Sequence, residues 1–193
     1  MAVKKISMKQ EIQQALTTLR EGGLILYPTD TVWGIGCDAS NPDAVKKVYH
    51  LKNRVDSKAL IMLVASEVML ERTVIDIPDI AWDLIDAAKK PLTVIYQAVK
   101  GIAHNAIADD GSCAIRLPKD NFCQQLIQRL GKPLISTSAN TSGNPTPQSF
   151  QDIEPSILSS VDYVVNLRQQ EESKNTPSSI VLLKNNGEIK IIR

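Results

Sequence analysis

The chain has 193 residues, of which 43% are hydrophobic and 22% are charged, values that are ordinary for a soluble globular domain. The formal net charge of +1 argues against a surface-wide field for nucleic acid, although it permits a local basic pocket. Three cysteines without a CxxC pair and two histidines do not make a metal site by spacing, and no segment has the length of a membrane span or the apolar core of a leader. We therefore predict a cytoplasmic protein that needs neither a membrane nor a protein-ligated metal.

Hydrophobic periodicity in the first half of the chain alternates between helix and strand. Ser7 and Gln10 form a capping-box pattern that predicts a helix start, and Gly22-Gly23 predicts the end of that helix. The elements predicted next are a buried strand over 24–27, a polar turn that closes on 34–36, a helix that begins at Asn41-Pro42 and ends at 52–54, a strand over 59–65, and helices over 66–72 and 78–89.

The second half continues this alternation. It predicts strands over 92–98 and 113–117, a loop over 100–112, a helix from Asp120 to Gly131, a strand over 133–136, a short helix near 152–160 and a strand over 163–167. Because Asn-Gly turns favour tight hairpins, residues 185–187 predict a hairpin between strands over 179–183 and 188–192. We predict one α/β domain over residues 1–193.

The segment over 24–36, LILYPTDTVWGIG, ends a buried strand in small polar side chains, and such strand ends commonly build binding sites in α/β sheets. Gly34, Gly36 and Ala39 match the dinucleotide fingerprint GxGxx(G/A), but the predicted helix begins only at Asn41. A Rossmann cofactor site is therefore disfavoured. The sequence also has no GxxxxGKS/T, GxSxG or HExxH motif, and neither histidine has a partner that would make it a catalytic base.

Two charged features have both a structural and a functional interpretation. Lys52, Arg54 and Lys58 cluster where a helix runs into a strand, and they form either a solvated face or an anion site. Arg116 lies within CAIRLP on a strand predicted to be buried, where a charge is costly unless an anionic group meets it. That group is either an acidic side chain of this chain or a ligand. Hydroxyls at 136–138 and 178–179 likewise either make local turns or donate to a phosphate or nucleobase.

Five segments together resemble the YrdC-like threonylcarbamoyl-AMP synthase family. In family order they are YPTDTVWGIGCDA at 27–39, Lys52-Asn53-Arg54, IRLP at 115–118, SANTSG at 138–143 and PSSIV at 177–181. The resemblance spans about residues 7–193. The chain departs from the family where Val55 stands in place of a proline, where Ala59-Leu60 replaces Pro-Leu, and where the serine-threonine pair is Ser178-Ser179.

The resemblance implies an α/β fold in which a twisted mixed sheet with flanking helices surrounds a deep basic cavity. It also implies a nucleotidyltransferase that condenses L-threonine, bicarbonate and ATP, with Mg²⁺ expected beside ATP, to threonylcarbamoyl-adenylate and pyrophosphate. The threonylcarbamoyl group would then reach the adenosine next to the anticodon of tRNA through a downstream tRNA threonylcarbamoyl transferase complex.

The resemblance further implies which residues form the site. Lys52 and Arg54 would be catalytic and hold phosphates. The implied threonine site consists of Thr31, Lys58, Arg116, Ser136 and Ser179. The implied ATP site consists of Lys52, Arg54, Ser112, Ser138, Asn140, Thr146 and Arg193.

Three alternatives keep the fold but change the function. The first is a non-catalytic module that binds double-stranded RNA, rRNA or tRNA in a basic cavity, although the chain lacks an aromatic stacking platform for bases. The second is an ATP-dependent carbamoyl-transfer domain of a larger maturation enzyme, which the absence of zinc-finger spacing disfavours. The third is a divergent relative that keeps the pocket and has lost or changed the activity.

Overall fold

The computed structural model describes residues 7–53, 60–171, 176–184 and 187–193. The α-helices of these residues are α1 (Met8–Arg20), α2 (Pro42–Lys52), α3 (Glu67–Thr73), α4 (Ile80–Ala87), α5 (Asn121–Leu130) and α6 (Pro155–Ser160). Two short 3₁₀ helices span His104–Ala106 and Phe150–Asp152. None of the described helices is long and apolar enough to cross a membrane.

The strands form one nine-stranded mixed sheet. They are β1 (Ile25–Tyr27), β2 (Gly34–Asp38), β3 (Ile61–Leu63), β4 (Leu92–Tyr96), β5 (Cys113–Arg116), β6 (Leu134–Ser138), β7 (Tyr163–Val164), β8 (Ser179–Leu183) and β9 (Ile189–Ile191). Their order across the sheet is β7-β1-β2-β6-β3-β5-β4-β8-β9. The pairs β1–β7, β3–β5 and β4–β8 are parallel, and the other pairs are antiparallel. The predicted class, an α/β fold with a mixed sheet and flanking helices, is confirmed.

Side-chain caps begin the helices that the sequence predicts. Ser7 and Gln10 form the complete capping box of α1, with Ser7 N donating to Gln10 Oε1 over 2.9 Å. Asn41 Oδ1 accepts from two backbone amides of α2, and Asp120 Oδ1 accepts from the first turn of α5 over 2.9 Å. Gly131 ends α5 in the left-handed conformation that suits glycine. These starts and stops were predictable because each depends on residues close in sequence.

Strand β2 corrects the predicted turn at 34–36. Gly34 and Gly36 lie inside this strand, although glycine is depleted in strands and therefore hid it from pattern analysis. A Cβ atom on Gly36 would lie 2.8 Å from Cε1 of Tyr27, so glycine makes room for the phenol ring of the neighbouring strand. The finding agrees with the rejection of a dinucleotide fingerprint, because the second glycine is in a strand and helix α2 begins at Pro42.

Several predicted boundaries shift. Within the predicted strand over 59–65 the structure has a strand at Ile61–Leu63, and residue 59 lies outside the described residues. The predicted helix over 78–89 is confined to Ile80–Ala87. A 3₁₀ turn interrupts the predicted loop over 100–112, and the predicted helix near 152–160 divides into a 3₁₀ turn and α6. Strands β8 and β9 pair antiparallel as the predicted hairpin requires, while its turn residues 185–186 lie outside the described residues.

Apolar side chains cover both faces of the sheet. On one face α1 and α5 pack against each other, and Ile12 and Leu126 join Leu134 of β6 in one core. On the opposite face Val45 of α2 joins Ile135 of β6 in a second core. Successive strand residues point to opposite faces, which is why Leu134 and Ile135 belong to different cores. Helix α1 contacts β1, β2 and β7, at one end of the sheet.

Candidate functional site

A cavity of about 310 Å³ lies over the middle of the sheet. Its floor is formed by residues of β2, β3, β4, β5 and β6, and its walls by the loop after β1, by Thr146 and by residues 177–180 and 192–193 near the end of the chain. The polar residues of the described lining are Thr29, Thr31, Arg116, Ser136, Thr137, Ser138, Thr146, Ser178 and Arg193. Two of these are arginines and none is a carboxylate, so the described lining favours an anionic ligand.

The register of β6 brings its hydroxyls to the cavity. Ser136 pairs with Gly36 on one side and with Ile61 on the other, and Ser138 pairs with Gly34. Residues two apart in a strand share a face, so both serines point toward the cavity from the centre of the sheet. The residues opposite them on β2 are Gly36 and Gly34, which make room for the ring of Tyr27 and the hydroxyl of Ser136.

A hydrogen bond from Tyr27 orients the hydroxyl of Ser136. The phenol of Tyr27 donates a hydrogen bond to Ser136 Oγ over 2.8 Å. Burial raises the pKa of Tyr27 well above its usual value, so the phenol stays protonated and remains the donor. Ser136 therefore accepts from Tyr27 and can direct its own proton to a ligand in the cavity. The family motifs imply no role for Tyr27, and the sequence indicates only that it ends a buried strand.

Arg116 is paired and yet keeps one side available. Its Nη1 lies 2.7 Å from Asp30 Oδ1 and 3.2 Å from Thr31 Oγ1, and the residue is 4% exposed. The structural interpretation, a salt bridge within the chain, is thus correct. Nη2 makes no hydrogen bond to a described residue, but it is not completely buried. Nε, by contrast, is completely buried and has no hydrogen-bond partner among the described residues. Since Arg116 lines the cavity, its Nη2 edge can meet a ligand carboxylate or phosphate.

Local hydrogen bonds hold the loop after β1 in shape. Thr31 N donates to Thr29 Oγ1 over 3.0 Å, and Thr29 Oγ1 donates to Val32 O over 2.7 Å. Arg168 holds the same loop from outside, because its Nη1 donates to Thr29 O over 3.3 Å and to Asp120 Oδ2 over 2.8 Å. Thr31 is thereby fixed at the cavity wall beside Arg116.

Lys52 lies behind the cavity wall rather than in its lining. The side chain is 3% exposed, and Nζ donates to Ser138 O over 2.5 Å and to Asn140 Oδ1 over 3.1 Å. Asn140 Nδ2 in turn donates to Asn144 O over 2.6 Å. Together Lys52 and Asn140 hold the end of β6 and the start of the loop that leads to Thr146.

The C-terminal segment closes one side of the cavity. Ser178 is buried, and its Oγ lies 2.7 Å from Thr93 Oγ1, with either oxygen able to donate. Arg193 donates from Nε and Nη2 to Ser178 O over 3.1 and 3.0 Å. Ser179, by contrast, is exposed and lies outside the described lining. Of the two serines the structure therefore directs the first, not the second, to the cavity.

The structure brings together half of the site predicted from the sequence. The predicted residues in the cavity lining are Thr31, Arg116, Ser136, Ser138, Thr146 and Arg193. Lys52 and Asn140 support the lining, while Ser112 and Ser179 are outside it. Arg54 and Lys58 lie outside the described residues. Thr29, Thr137 and Ser178 also line the cavity. Ligand binding was one of two interpretations of the hydroxyl segments that contain Thr137 and Ser178, but the family resemblance assigned none of the three residues to the site.

The arrangement suits binding and charge stabilisation better than covalent catalysis. Burial raises the pKa of the thiols of Cys37, Cys113 and Cys123, that of Cys113 to about 12, so none is a thiolate at neutral pH. His50 and His104 are both exposed. Over the part of the chain that the structure describes, no group of three or more His, Cys, Asp or Glu side chains could hold a metal ion.

Sequence comparison groups the chain with known proteins. Residues 17–193 match the family model of Sua5, YciO and YrdC proteins, which is described as telomere recombination. A protein of Vibrio campbellii named threonylcarbamoyl-AMP synthase is 33% identical over 175 residues, which are 89% of this chain and 93% of that protein. One of the same name from Pseudoalteromonas translucida is 31% identical over 187 residues, 95% of this chain and 98% of that protein.

Solved structures of similar fold include members of the family that the sequence comparison indicates. Sua5 of P. abyssi complexed with L-threonine has a TM-score of 0.85 at 26% identity, and the match covers 98% of this chain and 55% of that chain. E. coli YciO has a TM-score of 0.83 at 20% identity, with 98% of this chain and 91% of that chain covered. The second likeness concerns the fold alone, and both neighbours have the fold class predicted above.

Proposed function

The chain belongs to the Sua5, YciO and YrdC family, as the resemblance of its motifs predicts, and we propose that it is a threonylcarbamoyl-AMP synthase. The proposal is carried by the cavity, in which separate parts of the chain contribute two arginines and a row of hydroxyls without a carboxylate among the described lining residues. Such a lining suits an amino acid carboxylate and a nucleotide phosphate. The names of the relatives from Vibrio campbellii and Pseudoalteromonas translucida support the same activity.

The proposed reaction has two steps. The amine of L-threonine attacks the carbon of bicarbonate, and loss of water gives an N-carboxylate, a carbamate. One carbamate oxygen then attacks the α-phosphorus of ATP, the bond to the β-phosphate oxygen breaks, and pyrophosphate leaves. No covalent enzyme intermediate is needed, so the protein contributes orientation and stabilisation of negative charge. This requirement agrees with a lining of arginines and hydroxyls.

The threonine end of the site would lie at Arg116. The Nη2 edge of Arg116 would bind the carboxylate of threonine. Ser136 accepts a hydrogen bond from Tyr27, and its own hydroxyl would donate a hydrogen bond to the carbamate or the carboxylate. Thr31 is held beside Arg116 and would contact threonine through its hydroxyl. Ser179 was also predicted here, and we now favour Ser178, which is buried at the cavity.

The nucleotide end would lie toward Ser138, Thr146 and Arg193. Lys52 would act as a positioning residue, because it holds Ser138 O and Asn140 rather than pointing into the described lining. Arg54 is proposed as a phosphate ligand and Lys58 as a threonine ligand on the sequence alone, since both lie outside the described residues. The role of Ser112 in ATP binding stays a prediction.

Mg²⁺ would enter with the phosphates of ATP. The described lining offers no carboxylate, so phosphate oxygens and water would supply most of its ligands. Bicarbonate as the carbon source, tRNA as the final acceptor through a transferase complex, a cytoplasmic setting and a single domain over 1–193 stay predictions. The RNA-binding alternative has no support from the relatives of Vibrio campbellii and Pseudoalteromonas translucida, which are both named as synthases.

The decisive experiment measures pyrophosphate release from ATP. We expect release only when L-threonine and bicarbonate are both present, and we expect mass spectrometry to detect threonylcarbamoyl-adenylate. A matched reaction with L-valine, which replaces the threonine hydroxyl by a methyl group, should be much slower because polar side chains that would bind the hydroxyl lose their partner. Pyrophosphate release that ignores threonine, or no release at all, would exclude the proposed function.

A further inference from the structure

A second cavity of about 260 Å³ lies on the opposite face of the sheet from the first. The two cavities share strands β4 and β5, and alternate residues separate them. Ile95 and Arg116 line the first cavity, whereas Val94 and Ile115, their immediate neighbours, line the second. The second cavity is therefore a distinct site with its own chemistry, covered by the end of α4 and by the loop after β5.

The inner part of the second cavity is apolar but contains one unpartnered hydroxyl. Val94, Ile115 and Leu117 supply aliphatic surface. Tyr96 is 2% exposed, and its hydroxyl makes no hydrogen bond to any residue that the structure describes. Although Tyr96 is almost buried, its hydroxyl is not completely enclosed by protein atoms. Since Tyr96 lines the second cavity, the hydroxyl is accessible from that cavity. Burial raises the pKa of Tyr96, so this group remains a protonated donor.

The mouth of the second cavity is cationic. Lys90 and Lys119 lie there with Asp86 as the one carboxylate of the described lining. Lys90 is exposed and has no ion pair with a described residue, so its ammonium can meet an anion. Lys119 Nζ donates to Ala88 O over 2.8 Å and has two further donor hydrogens. A ligand here would meet aliphatic walls, a deep hydroxyl and positive charge at the entrance.

We propose that the second cavity binds a small amphipathic carboxylate. An unpartnered phenol in an almost buried position costs free energy that a ligand acceptor would recover. The volume lies just below the range of roughly 300–1,000 Å³ that holds drug-sized ligands, which favours a compact aromatic or branched aliphatic acid. In this arrangement the apolar body packs against Val94 and Ile115, a polar atom accepts from Tyr96, and the carboxylate meets Lys90.

Three matched probes test each part of the proposal. The first is 4-hydroxyphenylacetate, whose phenol oxygen can accept from Tyr96 and whose carboxylate can reach Lys90. Phenylacetate lacks the deep oxygen, and 4-hydroxyphenylethanol lacks the carboxylate. Binding is followed by methyl NMR of the full chain, in which Val94 reports on the second cavity and Ile95, the next residue, on the first. We expect saturable shifts at Val94 and Ile115 with 4-hydroxyphenylacetate, and weaker binding of both other probes.

Single substitutions then separate the contacts. Lys90→Gln should weaken 4-hydroxyphenylacetate up to about fivefold and leave 4-hydroxyphenylethanol unaffected, because only the carboxylate loses its partner. Lys89→Gln is the matched control, since Lys89 is exposed and does not line the cavity. Tyr96→Phe should weaken 4-hydroxyphenylacetate about threefold to tenfold and remove its advantage over phenylacetate.

Several outcomes would overturn the site. They are the absence of shifts at Val94 and Ile115 up to the solubility limit of the probe, shifts confined to Ile95, and equal effects of Lys90→Gln and Lys89→Gln. A thermal melt of each variant establishes that it is folded, and Lys90→Gln carries the test even where Tyr96→Phe reduces stability, because Lys90 is exposed. The assay requires no catalysis, so its failure would leave the proposed synthase activity untouched.

Discussion

Arg116 Nη1 and Asp30 Oδ1 are 2.7 Å apart, although the two residues are separated by 86 positions in sequence. Asp30 follows β1 and Arg116 ends β5, and Asp30 Oδ2 also accepts from Lys119 N over 3.0 Å. One carboxylate therefore joins the wall and the floor of the first cavity. The pair compensates the buried cation while leaving its Nη2 edge toward the cavity, so Arg116 serves both the fold and the proposed threonine site.

The first prediction concerns the shape of the cation at this position. In Arg116→Lys the charge is kept, but a compact ammonium cannot hold Asp30 and a ligand carboxylate at once with the geometry of a guanidinium. We expect the affinity for L-threonine, measured by calorimetry, to fall at least about tenfold, which corresponds to about 1.4 kcal/mol. An alanine variant is less informative, because breaking a buried pair costs about 3–5 kcal/mol of stability. Unchanged threonine affinity in a folded Arg116→Lys variant would remove Arg116 from the threonine site.

The second prediction concerns the partner carboxylate. Asp30→Asn keeps the size of the side chain but leaves the buried Arg116 without a compensating charge, so we expect the free energy of unfolding to fall by about 3–5 kcal/mol. Denaturant unfolding measures this change. Asp86→Asn is the control, because Asp86 is exposed and has no ion pair with a described residue, and it should change stability by less than about 0.5 kcal/mol. Equal effects of the two substitutions would show that the ion pair adds nothing to the fold.

The third prediction separates two neighbouring serines. Ser178→Ala removes a cavity hydroxyl and leaves the buried hydroxyl of Thr93 without its partner, so we expect KM for threonine or ATP to rise about threefold to tenfold. Ser179→Ala is the matched control and should behave like the unaltered chain, since Ser179 is exposed outside the described lining. A larger effect at Ser179 would restore the assignment made from the sequence motif.

These residues indicate what a sequence can and cannot predict. The caps at Ser7, Asn41 and Asp120 depend on residues nearby in sequence and were predicted correctly. The choice between Ser178 and Ser179 depends on register, because a shift of one residue reverses the face of a strand.

Contacts between residues far apart in sequence could not be predicted either. The cost of burying Arg116 was predictable, but its partner Asp30 is 86 positions away and only the sheet order brings them together. Lys52 was predicted as a phosphate ligand from its motif, and its bonds to Ser138 and Asn140 now favour a supporting position. Charge and spacing alone do not distinguish a side chain that binds a ligand from one that holds the wall.

The fourth prediction concerns the close approach at Gly36. A Cβ atom there would lie 2.8 Å from Tyr27 Cε1 and 3.0 Å from Ile135 O, and the backbone oxygen has little freedom to move. We expect Gly36→Ala to lower the free energy of unfolding by about 1–3 kcal/mol, measured in denaturant. Gly34→Ala is the comparison, because its nearest contact is the side-chain Ser136 Oγ at 3.1 Å. It should cost less stability, and since Gly34 lines the cavity it should impair threonine binding more than stability. A neutral Gly36→Ala would contradict the tight packing of Tyr27.

The fifth prediction is a loss of stability in alkali. Burial raises the pKa of the thiols of Cys37, Cys113 and Cys123 in the folded chain, that of Cys113 to about 12. In the unfolded chain the pKa of a cysteine thiol is about 8.5. Between these values the unfolded chain binds fewer protons than the folded chain, so stability is complete below pH ~8.5 and falls as the pH rises. The limiting slope is about 1.4 kcal/mol per pH unit for each thiol.

Guanidinium unfolding at a series of pH values from 7 to about 10 measures the thiol contribution, and Cys37→Ala serves as the control. This substitution removes one titrating group, so the decline above pH ~8.5 should become shallower by about 1.4 kcal/mol per pH unit even though the variant starts from a lower stability. A flat profile over this range, or an unchanged slope in Cys37→Ala, would contradict the burial of these thiols. The difference in slope between the two chains is informative because both keep the same buried tyrosines, so it reports the thiol of Cys37 and not the absolute stability of either chain.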